Sequence, residues 1–257
     1  MLRTRGLTKR FEGLTAVDDV DFELHSDELC SLIGPNGAGK TTFFNLLTGA
    51  LEPTAGEIGL RTDDTWTDIT GDSPAATAQR GVHRSFQLTN VFPNSTVLEN
   101  VRIAAQAHGT NSWRGWRNVA SFEEHLVEAR EILARVGLTA YADVPASSLS
   151  HGALRQLELG IALAGDPDVL LLDEPTAGVA SDGIDLIIDL IADVADDHAI
   201  LLVEHNMDVV MNVSDRIVVL NQGAIISDGP PAAIREDEAV QEAYLGGYRD
   251  EGFQAGS

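Results

Sequence analysis

Gly34-Pro35-Asn36-Gly37-Ala38-Gly39-Lys40-Thr41-Thr42 is the stretch that decides the fold. It fits the phosphate-binding pattern G-x-x-x-x-G-K-[ST], in which glycines let the backbone point its N–H groups at a phosphate. Lys40 supplies a positive charge for the β- and γ-phosphates, and the Thr41 hydroxyl supplies an oxygen ligand for Mg²⁺. The stretch therefore predicts a nucleotide-binding loop lined by residues 34–42.

The residues on either side of this loop favour a strand before it and a helix after it. Residues 29–33 form a short apolar run, which is typical of a buried strand. Residues 43–47 continue into a helix, whose positive N-terminal end would face the phosphates. The alternative is a chance glycine-rich turn, and the strand-loop-helix context argues against it.

The composition is that of a globular chain with enough apolar residues for a core. The chain has 257 residues, of which 44% are hydrophobic, so it forms one large domain or two small ones. No run approaches the ~20 apolar residues that span a bilayer, and no apolar stretch follows the charged amino terminus. Cys30 is the only cysteine, which excludes an internal disulfide and a cysteine-based zinc site. We therefore expect a cytoplasmic protein.

The charge is strongly acidic. Forty acidic residues face 17 basic ones, the formal net charge is −23, and only Lys9 and Lys40 are lysines. Such a surface repels nucleic acid, whose binding depends on basic contacts to phosphate. The acid excess with almost no lysine resembles proteins of salt-accumulating organisms, and the alternative is an ordinary acidic protein.

Outside the loop, the chain alternates between strand-like and helix-like patterns. Residues 2–29 alternate apolar and polar positions, which predicts antiparallel strands, with Phe11 in a turn between two of them. Phe11 either stacks on a base or packs in the core. Residues 61–75 are acidic and turn-rich and predict a surface loop, whereas residues 96–141 keep a helical spacing. Two tryptophans within residues 109–121 either belong to the core or anchor an insertion.

Fully apolar runs in the second half predict buried strands of a parallel sheet. They alternate with helical patterns such as residues 184–194, so helices should cover both faces of the sheet. Ligands of such sheets bind beyond the carboxyl ends of the strands, where Lys40, Asp173 and His205 each follow a strand. The apolar runs are residues 169–172, 199–203 and 217–220.

The adjacent acids Asp173 and Glu174 are candidates for catalysis. Asp173 ends an apolar strand, where an unpaired charge is costly and a bound cation relieves that cost. Glu174 comes next and can act as a base toward the γ-phosphate. The alternative is that both acids simply begin a helix. That alternative is weak in a chain that also has Lys40 and Thr41.

Taken in order, these motifs resemble those of an ATP-binding-cassette (ABC) ATPase, and the resemblance covers nearly the whole chain. It implies that ATP and Mg²⁺ are the cofactors. It also implies that Lys40, Glu174 and His205 are catalytic and that Thr41, Gln87 and Asp173 hold the metal. The matched positions are Phe11 as the aromatic that stacks on adenine, residues 34–42 as the phosphate loop, Gln87 in the glutamine loop, Ser150 and Gly152 in the signature motif, Asp173 and Glu174 after the strand, and His205 as the switch histidine.

Three residues depart from the family's usual pattern. His151 and Ala153 replace a glycine and a glutamine of the signature motif, and Ala180 stands where an Asp or Asn is usual. These changes leave open how strongly two nucleotide sites are coupled. His151 either donates a hydrogen bond to a phosphate of the partner's nucleotide or points to solvent. Solvent is favoured because Ser150 and the Gly152 backbone already suffice as donors.

The resemblance also implies a fold and a division of the chain. The expected fold is α/β: a P-loop NTPase (RecA-like) core with a mainly parallel sheet, an antiparallel β-subdomain and an inserted α-helical subdomain. Residues 1–86 and 151–235 would form the core with its antiparallel β-subdomain, and residues 87–150 the helical subdomain. Residues 236–257 would form a C-terminal helix and tail.

Within the family, the chain resembles the larger ATP-binding subunit of branched-chain amino-acid importers. The features are residues 84–87, Asn100, the tryptophan-containing insertion and residues 243–246. The implied partners are a second ABC ATPase subunit of the same or another kind, two transmembrane permease subunits and an extracytoplasmic substrate-binding protein, at the cytoplasmic face of the membrane.

Several alternatives to this assignment remain. Importers of urea or short amides share much of the pattern, and an importer of other amino acids is a further alternative. A soluble cassette of DNA repair or translation is disfavoured by the single phosphate loop and the lack of a basic stripe. A regulatory ATP-binding protein without turnover is disfavoured by the presence of Glu174.

Overall fold

The computed structural model describes residues 1–63, 65–85, 91–108 and 119–250, with side chains at all of these positions except 108, 119–122, 182 and 245–250. The chain divides into two units. The first comprises Met1–Pro74 and the chain from Ala199 onward, and the second comprises Ala75–His198. Gln87 and the tryptophans Trp113 and Trp116 lie outside the described residues.

The described residues form strands and helices that alternate along much of the chain. In chain order, the elements are β1 (Leu2–Phe11), β2 (Leu14–Leu24), β3 (Leu29–Ile33), α1 (Lys40–Leu47), β4 (Ala55–Thr62), β5 (Thr65–Asp68), α2 (Pro74–Gln79), β6 (Val82–Ser85), α3 (Val97–His108), α4 (Val119–Arg135), α5 (His151–Leu163), β7 (Val169–Asp173), α6 (Ser181–Ala195), β8 (Ala199–Val203), α7 (Met207–Val213), β9 (Arg216–Asn221), β10 (Ala224–Gly229), α8 (Pro231–Glu236) and α9 (Glu238–Asp250). None of the helices in the described ranges is both long enough and apolar enough to cross a bilayer.

The alternating amino-terminal segment forms an antiparallel sheet in the first unit, as predicted. Its strand order is β2-β1-β4-β5, and all its pairs are antiparallel. Two details differ from the sequence prediction. Residues 61–75 are not one loop, because they contain the end of β4 and all of β5. Phe11 is not in the turn, because it is the last residue of β1 and pairs with Leu14.

The apolar strands of the first unit form a mainly parallel sheet. The central strand β3 pairs in parallel with β8 on one side and β9 on the other, and β10 closes the edge antiparallel to β9. Every residue of β3 and β8 is buried, because strands covered on both faces have no side facing water. Burial also raises the pKa of the Cys30 thiol in β3 to about 12, so this cysteine is an inert thiol.

The C-terminal helices pack against the same sheet. Ile234 of α8 and Val240 of α9 belong to an apolar cluster with Ile33 and Val219, and Tyr244 packs against that cluster. Burial raises the pKa of the Tyr244 hydroxyl. This packing fixes the strand that leads into the phosphate loop.

The second unit combines a parallel strand pair with helices. Strand β6 pairs in parallel with β7, and every residue of β7 is buried. The predicted helical region 96–141 contains α3 and α4, and the predicted helix 184–194 lies within α6. Helix α5 packs against α3, α4 and α6. Gly160 permits a close approach there, since a Cβ at this position would lie 3.4 Å from both Ile132 and Val136.

Candidate functional site

The phosphate loop connects the buried strand β3 to helix α1. Helix α1 begins at Lys40, and Gly39 precedes it with a φ of 107°, without a side-chain hydrogen bond to cap the helix. The first-turn N–H groups of a helix have no partner within the helix, and they carry its positive dipole end. An uncapped helix start next to a glycine-rich loop suits a phosphate.

Two glycines of the loop are required for different reasons. A Cβ at Gly39 would lie 2.3 Å from the Ala16 carbonyl oxygen, so a close backbone approach excludes any side chain there. A Cβ at Gly37 would meet no atom of the described residues within 4 Å, but its φ of 79° favours glycine. The Gly223 N–H braces the loop by donating to the Ala38 carbonyl at 2.8 Å.

Lys40 is held inside the loop. The residue is only 7% exposed. Its Nζ donates to the Gly34 carbonyl at 2.6 Å and to the Pro35 carbonyl at 3.1 Å. The ammonium group is therefore already aimed at the inside of the loop. Thr41, by contrast, is an exposed residue in the first turn of α1.

Helix α1 is held in place by aromatic packing. The Phe43 ring meets the Phe22 ring of β2 edge-on, with centroids 5.7 Å apart. Phe11 is not part of this core. It is 41% exposed, with the Lys9 Nζ 5.2 Å from its ring centroid. An exposed aromatic side chain at the end of β1 is available to stack on a planar ligand.

His205 lies at the same sheet edge as the phosphate loop. Strands β3 and β8 are parallel neighbours with Leu29 opposite Ile200, so their carboxyl ends share one edge. His205 follows β8 and is exposed. The preceding residue, Glu204, is 5% exposed. Its Oε2 accepts the His205 N–H at 2.8 Å and thereby fixes the backbone that carries the histidine.

The second unit carries the candidate acids. Asp173 is the last residue of β7 and is 8% exposed. The Arg84 Nη2 donates to the Asp173 Oδ2 at 2.6 Å. Glu174 follows with a φ of 52°, in the left-handed region that non-glycine residues rarely adopt. Such strained backbone is concentrated at functional sites.

The signature residues begin helix α5. Ser150 is the N-cap, and its Oγ accepts the Ala153 N–H at 3.2 Å. His151 is the first helical residue and is exposed, while Gly152 is half-buried. A Cβ at Gly152 would lie 3.9 Å from its nearest neighbour, Val179 Cγ1, which is ordinary contact. Packing against the described residues therefore does not require glycine at this position.

Helix α5 is tied to the loop that follows Glu174. Arg155 Nη2 donates to the Ala177 carbonyl at 3.3 Å, and its Nη1 donates to Glu158 at 2.7 Å. Burial raises the pKa of the Glu158 carboxyl, and the Arg155 guanidinium acts in the opposite direction. Ala180, the third departure noted in the sequence, is the N-cap of α6 and provides no side-chain cap.

Each unit thus holds part of the predicted set. The first unit holds Phe11, residues 34–42 and His205. The second holds Ser150, Gly152, Asp173 and Glu174. Gln87 falls outside the described residues. The sequence analysis gave no role to Arg84 or Glu204. Both could have been noticed as charged residues within or directly beside a strand-like run, where a charge is costly without a partner.

A glycine-rich loop between a buried parallel strand and an uncapped helix, with a buried lysine at the helix start, defines a P-loop nucleotide-binding protein. The chain belongs to the ABC transporter family, whose members bind and hydrolyse ATP: residues 17–177 match the family described as ABC transporter. Residues 224–250 match a second family, described as branched-chain amino acid ATP-binding cassette transporter.

Relatives and solved structures agree with this family. The chain is 42% identical over 253 residues to LivG of Escherichia coli (strain K12), a high-affinity branched-chain amino acid transport ATP-binding protein, with 96% of this chain and 98% of LivG covered. It is similar to MJ1267, an ATP-binding cassette of an ABC transporter solved in its ADP conformation, with a TM-score of 0.82, 30% identity, and 96% of this chain and 98% of that one covered. It is also similar to the cassette MJ0796, solved as a dimer in a post-hydrolysis state bound to ADP and Pi, with a TM-score of 0.72, 26% identity, and 90% and 99% coverage. These likenesses confirm the predicted α/β P-loop fold class.

Proposed function

We propose that this chain is the ATP-hydrolysing subunit of an importer for branched-chain amino acids. The observation that carries the substrate assignment is the match of residues 224–250 to the branched-chain amino acid cassette family, joined to the likeness to LivG along nearly the whole chain. The ATP chemistry is supported by the phosphate loop, in which the Lys40 ammonium is held against the Gly34 and Pro35 carbonyls.

The roles proposed for the site residues follow from their chemistry. Residues 34–42 bind the phosphates through backbone N–H groups and Lys40, and Phe11 stacks on adenine. Glu174 orients and deprotonates the attacking water. Lys40 and His205 stabilise the charge on the transferring phosphoryl group.

The donor set also fits Mg²⁺. Thr41 is an exposed residue with a hydroxyl, and Asp173 is a buried residue with a carboxylate. Gln87, which lies outside the described residues, has an amide oxygen. Within the described ranges, no group of three or more His, Cys, Asp or Glu side chains could hold a metal. A site with few protein ligands suits Mg²⁺, because this ion usually keeps waters and phosphate oxygens in its coordination sphere. If Mg²⁺ were bound by these residues, it would neutralise negative charge on the nucleotide phosphates.

We further propose that two cassettes act as a head-to-tail pair, with Ser150 and Gly152 of one facing the nucleotide of the other. The cassette MJ0796 is a dimer, which supports this arrangement. The second cassette is a copy of this chain or a related subunit. Two transmembrane permease subunits and an extracytoplasmic binding protein complete the importer, and this chain is peripheral on the cytoplasmic face. The division into core (1–86 and 151–235), helical subdomain (87–150) and C-terminal part (236–257) belongs to the same proposal.

Gly152→Ala tests the role of the signature helix. Because packing leaves room for a methyl group, alanine should stabilise the nucleotide-free chain by about 0.5–1 kcal/mol and raise its Tm by about 1–4 °C. The same methyl group would stand between the helix start and the partner's nucleotide, so ATP hydrolysis by the assembled complex should fall at least about tenfold. Calorimetry and a phosphate-release assay measure the two effects.

Gly160→Ala, in the same helix, is the matched control for stability. A Cβ at Gly160 would already touch Ile132 and Val136 at 3.4 Å, so alanine should stabilise the chain less there than at Gly152. If Gly152→Ala leaves the hydrolysis rate of the complex unchanged, Gly152 does not face a nucleotide.

The acidic surface leads to a second proposal, that the protein works in molar salt. With a net charge of −23, repulsion between carboxylates destabilises the fold in dilute buffer. The screening length falls from ~10 Å at 0.1 M to ~3 Å at 1 M salt, so the repulsion should largely vanish. We expect the Tm to rise continuously from dilute buffer to molar KCl, as measured by circular dichroism. A flat or falling curve would contradict adaptation to salt.

Purification of the complex tests the importer assignment. An affinity tag on this chain, followed by mild detergent extraction of native membranes, should recover two permease subunits and a second cassette. Leucine with its binding protein should stimulate ATP hydrolysis by that complex, whereas urea or short amides should not. Recovery of the chain without permeases would count against a transporter. Stimulation of ATP hydrolysis by urea would make urea the substrate instead of branched-chain amino acids.

A further inference from the structure

The Arg84–Asp173 ion pair lies where two parallel strands end together. Arg84 of β6 is opposite Leu171 of β7, so Asp173, two residues further along, projects on the same face of the strand as Leu171. The Arg84 Nη2 and the Asp173 Oδ2 are 2.6 Å apart, and the two side chains are 14% and 9% exposed. The pair is therefore a desolvated, short contact fixed by the strand register.

The two carboxylate oxygens of Asp173 have different surroundings. Oδ2 accepts the hydrogen bond from Arg84. Oδ1 accepts no hydrogen bond from any residue in the described ranges, and the residue is 8% exposed. A buried carboxylate requires a neighbouring cation, and an arginine remains charged at every physiological pH. Arg84 provides that cation at Oδ2. Among the described residues, none donates a hydrogen bond to Oδ1.

We propose that Arg84 is a resident counter-ion that takes the place of the metal charge at Asp173 while no nucleotide is bound, and that it weakens the affinity of the site for Mg²⁺. This inference rests on the proposed function, in which Asp173 is a metal ligand. A guanidinium beside the same carboxylate repels an incoming cation, and that repulsion is strong where water is excluded. Mg²⁺ would then be held only when the nucleotide phosphates add their own negative charge. Arg84 thereby couples metal binding to nucleotide binding, because it competes with the metal for Asp173.

A Mg²⁺ titration of the full chain tests this role without relying on turnover. The chain is saturated with a non-hydrolysable ATP analogue, and the Tm is followed as Mg²⁺ is added. Arg84→Gln should lower the nucleotide-free Tm, because Asp173 loses its counter-ion. It should also shift the Mg²⁺ midpoint to about fivefold lower concentration. Arg84→Lys keeps the charge and should keep the midpoint within about twofold of the original chain.

Arg135→Gln is the matched control. Arg135 also pairs with two aspartates of the second unit, at 3.2 Å to Asp193 and 2.8 Å to Asp197. Its loss should lower the Tm modestly and leave the Mg²⁺ midpoint unchanged.

The outcomes separate this inference from the proposed function. If Mg²⁺ shifts the Tm of the original chain but Arg84→Gln has the same midpoint, Arg84 is only a structural ion pair. If Arg84→Gln needs more Mg²⁺, Arg84 orients Asp173 rather than competing with the metal. Both results overturn the inference and leave the proposed function standing. If Mg²⁺ does not alter the Tm of the original chain with the analogue bound, the proposed metal site fails, and the inference fails with it.

Discussion

Lys40→Ala should reduce ATP binding by at least about 10²-fold, since it removes a charge-assisted contact worth about 3 kcal/mol to the phosphates. The Lys40 Nζ is already positioned at the loop interior by the Gly34 and Pro35 carbonyls, so little rearrangement is needed to reach a phosphate. Isothermal titration with ATP measures the loss. Arg235→Ala is the control, because it removes one positive charge from an exposed position in α8.

The control separates the local contact from the overall charge. Both variants raise the net negative charge by one, and both therefore repel ATP slightly more through the general field. Only Lys40→Ala should lose binding beyond that small common effect. Equal affinities for the two variants would show that Lys40 does not contact the nucleotide.

Glu174→Gln should retain ATP binding and lose hydrolysis by about 10²–10⁴-fold, because the substitution removes the base and keeps the shape. Glu174 has a φ of 52°, and glutamine can occupy the same backbone conformation at similar cost. Phosphate release by the assembled complex measures the rate, and titration with ATP measures the binding.

Asp166→Asn is the matched control for Glu174→Gln. Asp166 is another acid with a left-handed φ, of 47°, and it is exposed. Its amide variant should hydrolyse ATP at the original rate. Hydrolysis by Glu174→Gln at the original rate would remove Glu174 from the catalytic role.

The parts of the fold with a strong hydrophobic signature could be predicted from the sequence. Strands β3, β7 and β8 are short, almost wholly apolar runs bounded by turn residues, and burial on both faces leaves few other structures for such runs. The phosphate loop was predictable for a different reason, since its glycines and lysine are fixed by the chemistry of binding phosphate.

Strand β5 could not be predicted because its stability comes from a distant partner. Three of its four residues are polar, and they follow an acidic stretch, so the local pattern favours a loop. Trp66 of β5 lies under the Arg3 guanidinium, 3.9 Å from the ring centroid, and Gly59 of β4 leaves space for the ring. Such a contact between residues far apart in the chain is not visible in local periodicity.

The ion pair at Asp173 was hidden for a similar reason. Arg84 is visible in the sequence as a charge within a strand-like segment, but its partner depends on the register of β6 against β7. Register is set by packing across the sheet rather than by either strand alone. The sequence therefore predicted the carboxylate at the strand end and missed the cation beside it.

Uptake of labelled leucine into vesicles tests the central claim most directly. The vesicles carry the membrane complex purified through this chain, enclose Mg²⁺ and ATP, and have leucine and its binding protein outside. The proposed function predicts accumulation with the original chain and none with Glu174→Gln, although both complexes bind ATP. Two results would contradict an importer of branched-chain amino acids driven by this ATPase. One is leucine accumulation that persists with Glu174→Gln, and the other is uptake of urea but not of leucine with the original chain.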